Sequence, residues 1–305
     1  MLNESGLQKR AALIQSLRSF FVNRGYLEVD TPARLPILIP EAHNEPVESS
    51  DHFLQTSPEM CMKRLLAEAG CQKIFQICKC YRKDERGDRH LPEFTMLEWY
   101  RTQGDYLSLM DECVDLILEV AQASGHIGSI IFKGVKVSLE KPWERLSVTD
   151  AFIQYGPVSV EQALEQNIFD EVLCRDIEPQ LGINKPVFLY DYPAELGALA
   201  RKKKDDPSVV ERFELYIAGV ELANGFSELT DAYEQRQRFE QELKHIRRQG
   251  RPVGLMPKIF LEVLHNMPET AGIALGLDRL AMVLFNAETI DKVVTFVPED
   301  MEPAD

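Results

Sequence analysis

Apolar residues recur at helical spacing over residues 7–23, with Leu7, Ala11, Ile14, Leu17 and Phe21 on one stripe. Gly25 stands where a helix C-cap favours a left-handed residue, so the pattern predicts a helix that stops there. A short run, Tyr26-Leu27-Glu28-Val29, then meets Thr31-Pro32. Ser57-Pro58-Glu59 reads as an N-cap with proline at the first helical position, opening a helix that ends near Gly70. Two strand-like runs follow, from Phe75 and up to Tyr100, around a loop of concentrated charge between Arg82 and His90. In the second run the side chains alternate. Phe94, Met96, Glu98 and Tyr100 share one face, and Thr95, Leu97 and Trp99 share the other. Residues 105–124 predict a helix, with Leu109, Val114, Leu116 and Leu118 among its apolar positions. Residues 125–185 are mixed and predict no definite element. The run Arg201-Lys202-Lys203-Lys204-Asp205-Asp206-Pro207 reads as a solvated loop. Strong patterning returns over residues 208–245, and residues 272–286 combine a glycine-spaced strand with an apolar helix. With no internal repeat and no low-complexity linker, one mixed domain over residues 1–305 is expected.

Composition narrows the class. The chain has 305 residues, 45% hydrophobic and 27% charged, enough for a sizeable core. It carries 49 acidic and 34 basic residues, a formal charge of −15. Such a chain is a poor non-specific binder of nucleic acid, because phosphate neutralisation needs Lys and Arg. The six cysteines include no Cys-x-x-Cys, so reduced thiols are expected rather than zinc or disulfides. No signal-peptide pattern opens the chain and no apolar run approaches membrane length, so a cytoplasmic, membrane-free protein is expected.

Three segments carry candidate chemistry. The strand face with Phe94, Glu98 and Tyr100, edged by Arg82 and Arg89, offers an aromatic ring, a carboxylate, a phenol and two guanidinium groups. A surface hairpin with a charged tip has the same appearance. Glu221, Asn224 and Glu228 are spaced i, i+3 and i+7. That spacing is also a polar stripe on an amphipathic helix, but Asn224-Gly225 signals a turn or kink. Carboxylate and amide oxygens suit Mg²⁺ when a phosphate completes its shell. Gly272-x-Ala274-x-Gly276-x-Asp278-Arg279 places small residues where a ligand can lie close to a strand, with Arg279 opening the next helix. A tightly packed strand with a structural Asp-Arg pair fits it too.

Together and in this order, the three segments resemble motif 2, the metal-binding strand and motif 3 of class II aminoacyl-tRNA synthetases, most closely the lysyl branch. The segment from Arg10 to Thr31-Pro32 resembles motif 1, the dimer element, and Ser57-Pro-Glu-Met-Cys-Met-Lys-Arg-Leu-Leu resembles the amino-acid-binding helix of the lysyl enzymes. The resemblance runs from about residue 10 to about residue 286. It implies an α+β fold: a mostly antiparallel sheet flanked by helices, not a parallel Rossmann sheet, in a homodimer. Two features are similar to a truncated branch, the family of elongation factor P–(R)-β-lysine ligases. With the motif 1 resemblance beginning near residue 10, no N-terminal anticodon-binding OB-fold is expected. Ala274 stands where the lysyl enzymes usually have glycine. The sequences Glu-Leu-Ala-Asn-Gly-Phe and Pro-Glu-Phe-Thr-Met-Leu-Glu-Trp-Tyr-Arg also resemble that family. Asp84 and Leu91 depart from the usual Glu and Asn of motif 2.

What the resemblance implies is activation of (R)-β-lysine or lysine by ATP and Mg²⁺ and transfer to a lysine side chain of elongation factor P, without tRNA charging. By the same resemblance Arg82 and Arg279 would be the catalytic arginines, on the α- and γ-phosphates. Phe94 would stack on adenine. Lys83, Asp84, Arg89, His90, Leu91, Leu222 and Gly276 would belong to the ATP site, and Glu221 would hold Mg²⁺. Ser57, Pro58, Glu59, Glu98, Tyr100, Asn224, Glu228 and Ala274 would form the substrate site. Glu59 would meet the reactive-end ammonium, and Glu228 with Tyr100 the distant one. Open alternatives are a tRNA-independent lysyl-adenylate enzyme with another acceptor, a non-catalytic synthetase-like regulator, and an asparagine-synthesising relative.

Overall fold

The computed structural model describes residues 1–252 and 254–301. Helix α1 (Glu4–Asn23) leads into the two-residue strand β1 (Leu27–Glu28). A small sheet of β2 (Arg34–Leu35), β3 (Glu48–Ser49) and β4 (His52–Leu54) precedes α2 (Glu59–Glu68). The strand pair β5 (Lys73–Tyr81) and β6 (Glu93–Thr102) runs into α3 (Tyr106–Ala123). The stretch without a clear pattern contains the ribbon β7 (Ser129–Phe132) and β8 (Val135–Ser138), then β9 (Glu144–Ser147), α4 (Val148–Tyr155), α5 (Val160–Glu165) and α6 (Phe169–Val172). These pieces are too short for a period to emerge. The chain continues through β10 (Val187–Pro193), β11 (Val209–Ile217), β12 (Val220–Ser227), α7 (Ala232–Arg248), α8 (Lys258–Val263), β13 (Thr270–Gly276) and α9 (Leu277–Phe285).

Eight strands form one sheet in the order β1-β5-β6-β13-β12-β11-β10-β9. The pairings from β5 through to β10 are antiparallel, and only the outer pairs β1–β5 and β9–β10 are parallel. The expected mostly antiparallel α+β architecture is therefore the one observed.

The two faces of this sheet do different work. Leu97 and Trp99 of β6, Ile273 and Leu275 of β13, and Phe213 and Leu215 of β11 pack into one large core with α1, α3 and α9. Leu13, Leu17, Phe20 and Phe21 of α1 are buried there. Of the expected stripe Leu17 and Phe21 are buried and Ile14 partly so, while Leu7 and Ala11 are exposed, so the buried face is rotated by about one residue. A buried ion pair ties this face together. Arg10 of α1 lies 2.7 Å from Asp278 of α9, and Asp278 also accepts a hydrogen bond from the Thr95 amide at 2.6 Å. Asp278 is thus a structural anchor, and its neighbour Arg279 is left to face the opposite side.

The other sheet face is capped at one end by α2, α7 and α8. Met62, Leu66, Phe239, Phe260 and Leu261 close over Ile74 and Tyr100. The charge run at residues 201–207 is not simply a solvated loop. Ala200 is buried and bridges to Glu228, and Arg201 pairs with Glu211 at 2.7 Å. The front of that run is therefore packed beside the capped end of the sheet.

Candidate active site

Strand register assembles the site. Across the sheet Glu98 of β6 is opposite Ala274 of β13, Ala274 opposite Asn224 of β12, and Asn224 opposite Glu214 of β11. The next row is Tyr100, Gly272, Phe226 and Arg212. Directly opposed residues share a face, so both rows line the face away from the large core.

The i, i+3, i+7 spacing of Glu221, Asn224 and Glu228 proves to be neither a helix nor a turn. These residues belong to β12 and its end, and Asn224-Gly225 runs straight through the strand. Gly225 is there for packing: a Cβ would lie 2.7 Å from the Phe213 ring. The register slips between Leu215 and Tyr216, which pair with Ala223 and Glu221. Leu222 is the extra residue of a β-bulge. Leu222 and Ala223 both enter the core. This offset returns Glu221 to the face of Asn224, where strict alternation would have separated them. Leu222 therefore has only its backbone to offer a nucleotide. Leu91 is likewise 3% exposed in the core, so its side chain is withdrawn from the site.

At the capped end of the sheet lies a buried cluster of acidic groups. The Glu98 carboxylate accepts a hydrogen bond from Tyr100 at 2.5 Å. Glu228, 1% exposed, is 2.5 Å from the ammonium of Lys63, which is also 2.5 Å from Glu59. Glu98 Oε2 and Glu228 Oε1 are buried with no partner among the described residues. Burial, followed by the Glu59 charge, holds the Glu98 carboxyl well above its usual range. Glu228 is pushed up to about 8 by burial, against the pull of Lys63. Burial alone would depress Lys63, but Glu228 and Glu59 outweigh it and keep the ammonium protonated. Gly272 makes this crowding possible: an added Cβ would fall 2.2 Å from Tyr100 Cε1 and 2.4 Å from Glu228 Oε1. Helix α2 begins at Glu59, with Pro58 at the N-cap position, one residue later than expected. Ser57 Oγ accepts from the Glu59 amide at 3.4 Å.

A cationic, aromatic end adjoins this cluster. The Arg82 guanidinium sits 5.1 Å from the Phe94 ring centroid, and its Nε has no partner among the described residues. Arg279, at the third residue of α9, donates to Glu221 Oε2 at 3.0 Å and reaches His90 Nε2 at 2.6 Å. Burial and the Arg279 charge keep the His90 imidazole below its usual pKa, so a neutral ring accepts from Arg279. Gly276 immediately precedes α9. Lys83 is exposed and paired with Glu45 at 2.6 Å. Arg89 donates to the Gly219 carbonyl at 2.7 Å, bracing the β11–β12 turn. Asp84 is exposed, with a left-handed φ of 59°. The half-buried carboxylate facing Arg82, at 3.6 Å, is Glu85.

The sequence reading missed four polar residues of this face: Lys63, Glu85, Arg212 and Glu214. Arg212 donates to Asn224 Oδ1 at 3.2 Å and to Glu214 at 2.6 Å, and Glu214 also accepts from Tyr192 and Tyr216. A signal for Lys63 existed, since it stands one helical turn after Glu59. Arg212 and Glu214 carried only a period of two.

An antiparallel sheet bearing an acidic cluster beside paired arginines and an aromatic ring defines a class. The family model described as tRNA synthetases class II (D, K and N) matches residues 3–300. The chain belongs to that family. Curated relatives place it further. It is 38% identical to the elongation factor P–(R)-β-lysine ligase of Pectobacterium carotovorum subsp. carotovorum (strain PC1), over 97% of this chain and 95% of the relative. The proteins of that name from Erwinia tasmaniensis and Edwardsiella ictaluri are each 38% identical, over 96% of this chain and 94% of theirs.

Proposed function

We propose that this chain is an AMP-forming ligase that activates (R)-β-lysine or lysine with ATP and transfers it to a lysine side chain of elongation factor P. The observation that carries the substrate class is the pair of buried, unpartnered carboxylate oxygens on Glu98 and Glu228. A buried carboxylate without a cation is costly, and an ammonium group supplies what is missing. Glu228, Glu98 and Tyr100 take the distant ammonium, Glu59 the reactive-end one, and Ala274 and Asn224 floor the space between. The names of the curated relatives supply the acceptor.

In the first step a substrate carboxylate oxygen attacks the α-phosphorus of ATP and pyrophosphate leaves. Arg82 and Arg279 are placed to neutralise phosphate charge, with Phe94 as the stacking surface. In the second step the neutral amine of the acceptor lysine attacks the acyl carbon. AMP leaves and the amine gives up a proton, completing an amide. Mg²⁺, when bound with ATP, would neutralise phosphate charge. No cluster of three His, Cys, Asp or Glu side chains forms a cage among the described residues. Glu221 fits a metal that needs one or two carboxylates and takes its other ligands from phosphate.

The same reading includes a homodimer in the cytoplasm. Val22 at the end of α1 and Leu27 of β1, each 57% exposed, are its candidate contact. Among the described residues no helix is long and apolar enough to cross a membrane. A formal charge of −15 disfavours tRNA as acceptor. Pyrophosphate exchange with lysine and (R)-β-lysine, then mass spectrometry of elongation factor P after incubation with enzyme, ATP and substrate, tests the proposal. Exchange with both amino acids absent removes the activity. Exchange without a mass shift on elongation factor P moves the acceptor elsewhere.

A further inference from the structure

We propose that Lys63 is a positioning residue that sets the charge of the substrate pocket, making it complementary to an amino acid with two ammonium groups. The inference rests on the lysine-activating function proposed above and assigns a role to a residue that function does not use.

Lys63 lies on α2 one turn after Glu59 and is 1% exposed. Its ammonium is 2.5 Å from Glu59 Oε1, 2.5 Å from Glu228 Oε2 and 5.2 Å from the Phe226 ring centroid. A buried ion pair of this kind would ordinarily be read as a closed structural unit. Two observations count against that. Three carboxylates, those of Glu59, Glu98 and Glu228, surround one ammonium, so the ionised group is not balanced. One oxygen of Glu98 and one of Glu228 have no hydrogen-bond partner among the described residues. With Lys63 present the ionised cluster is short of two positive charges; without it, three. Lysine and β-lysine each bring two ammonium groups, while their carboxylate goes to the phosphate end. Lys63 also occupies one oxygen of Glu59 and one of Glu228, leaving the others to the ligand.

Other charged and titratable groups bear on these carboxylates. Tyr100 donates to Glu98, Cys78 of β5 raises Glu98, and Glu41 is coupled to Glu59 and Arg82. None of these is a second buried cation at Glu228. Lys63 alone lowers its pKa. Without that ammonium, the carboxylates would hold protons to higher pH, and a substrate would have to displace them on entry.

The test compares wild type with Lys63→Met and Lys63→Gln in pyrophosphate exchange. At about pH 7 each neutral variant should raise KM for lysine about tenfold or more, with KM for ATP changed less than about twofold. The defect should shrink as the pH is raised, because the carboxylates then ionise with less help. Lysine binding to the variant should also release more protons than binding to wild type, measured by calorimetry in two buffers of different ionisation enthalpy. Lys63→Arg keeps the charge, should keep the wild-type pH slope, and serves if neither neutral variant folds. KM for lysine unchanged in a neutral variant overturns the proposal. So does an equal rise for both substrates with no change in pH slope, or an altered slope in the Arg variant. Absence of exchange in wild type refutes the lysine-activating function instead.

Discussion

Gly272→Ala is the sharpest steric perturbation of the substrate pocket. The added Cβ would lie 2.2 Å from Tyr100 Cε1, 2.5 Å from Tyr100 Cδ1 and 2.4 Å from Glu228 Oε1, where ordinary contact begins at 3.4 Å. From 2.2 to 3.4 Å, the Tyr100 ring must retreat by about 1.2 Å, a misplacement of the size that costs ~100-fold in an oriented site. It has little room, because Met62, Leu66 and Phe260 pack in the same cluster. Overpacking of this kind destabilises by roughly 1–3 kcal/mol. Loss of the Tyr100–Glu98 geometry should appear as a rise in KM for lysine of about tenfold or more, with ATP binding retained. Gly276→Ala is the control. It belongs to the same strand, but the nearest atoms its Cβ would meet are those of the Arg279 side chain, in ordinary contact at 3.6 to 3.7 Å. Pyrophosphate exchange and thermal denaturation on both variants decide the matter. A Gly272→Ala protein with wild-type KM and melting temperature would refute the reasoning.

Ala274 stands opposite Glu98 and Asn224. Its methyl should penalise an α-amino group, so Ala274→Gly should raise kcat/KM for α-lysine relative to β-lysine about tenfold; an unchanged ratio assigns Ala274 to packing alone. Arg82→Ala and Arg279→Ala should each cut adenylate formation about a hundredfold while circular dichroism stays wild-type; retained exchange would remove their roles. Arg10→Ala should cost about 3–5 kcal/mol in urea unfolding, because it strands the buried Asp278 carboxylate; a loss under about 1 kcal/mol would contradict that burial argument. The folded pKa of Glu228, about 8, lies above the ordinary carboxyl value of 4.5. Its contribution is therefore complete below the unfolded value and lost as pH rises through the folded one. The melting temperature of the ligand-free protein should fall between those pH values, and saturating lysine should flatten the fall. A melting temperature that rises across that window would exclude the assignment.

The sequence itself determined the strand at Phe94–Tyr100, because period-two alternation is a local property that one buried face enforces. It likewise determined α1, α3 and α9, whose apolar stripes are long enough to show a period. The motif residues Arg82, Phe94, Glu221 and Arg279 were legible as a resemblance, and the fold draws Arg82 and Phe94 together, as it does Glu221 and Arg279. Tertiary structure decided the rest. Only the pairing of β11 with β12 shows that Leu222 is a bulge residue, which is why Glu221 and Asn224 share a face. Only the crowding at Gly272 shows what that glycine is for. Asp84 and Leu91 hold motif positions in the chain, yet one is exposed and the other is buried in the core. Lys63 is a polar letter in an amphipathic helix until α2 docks on the sheet and sets its ammonium between Glu59 and Glu228. Periodicity specifies which way a side chain points within its own element. Which charges then meet, and how far burial shifts them, depends on strand register and on helices packed from distant parts of the chain.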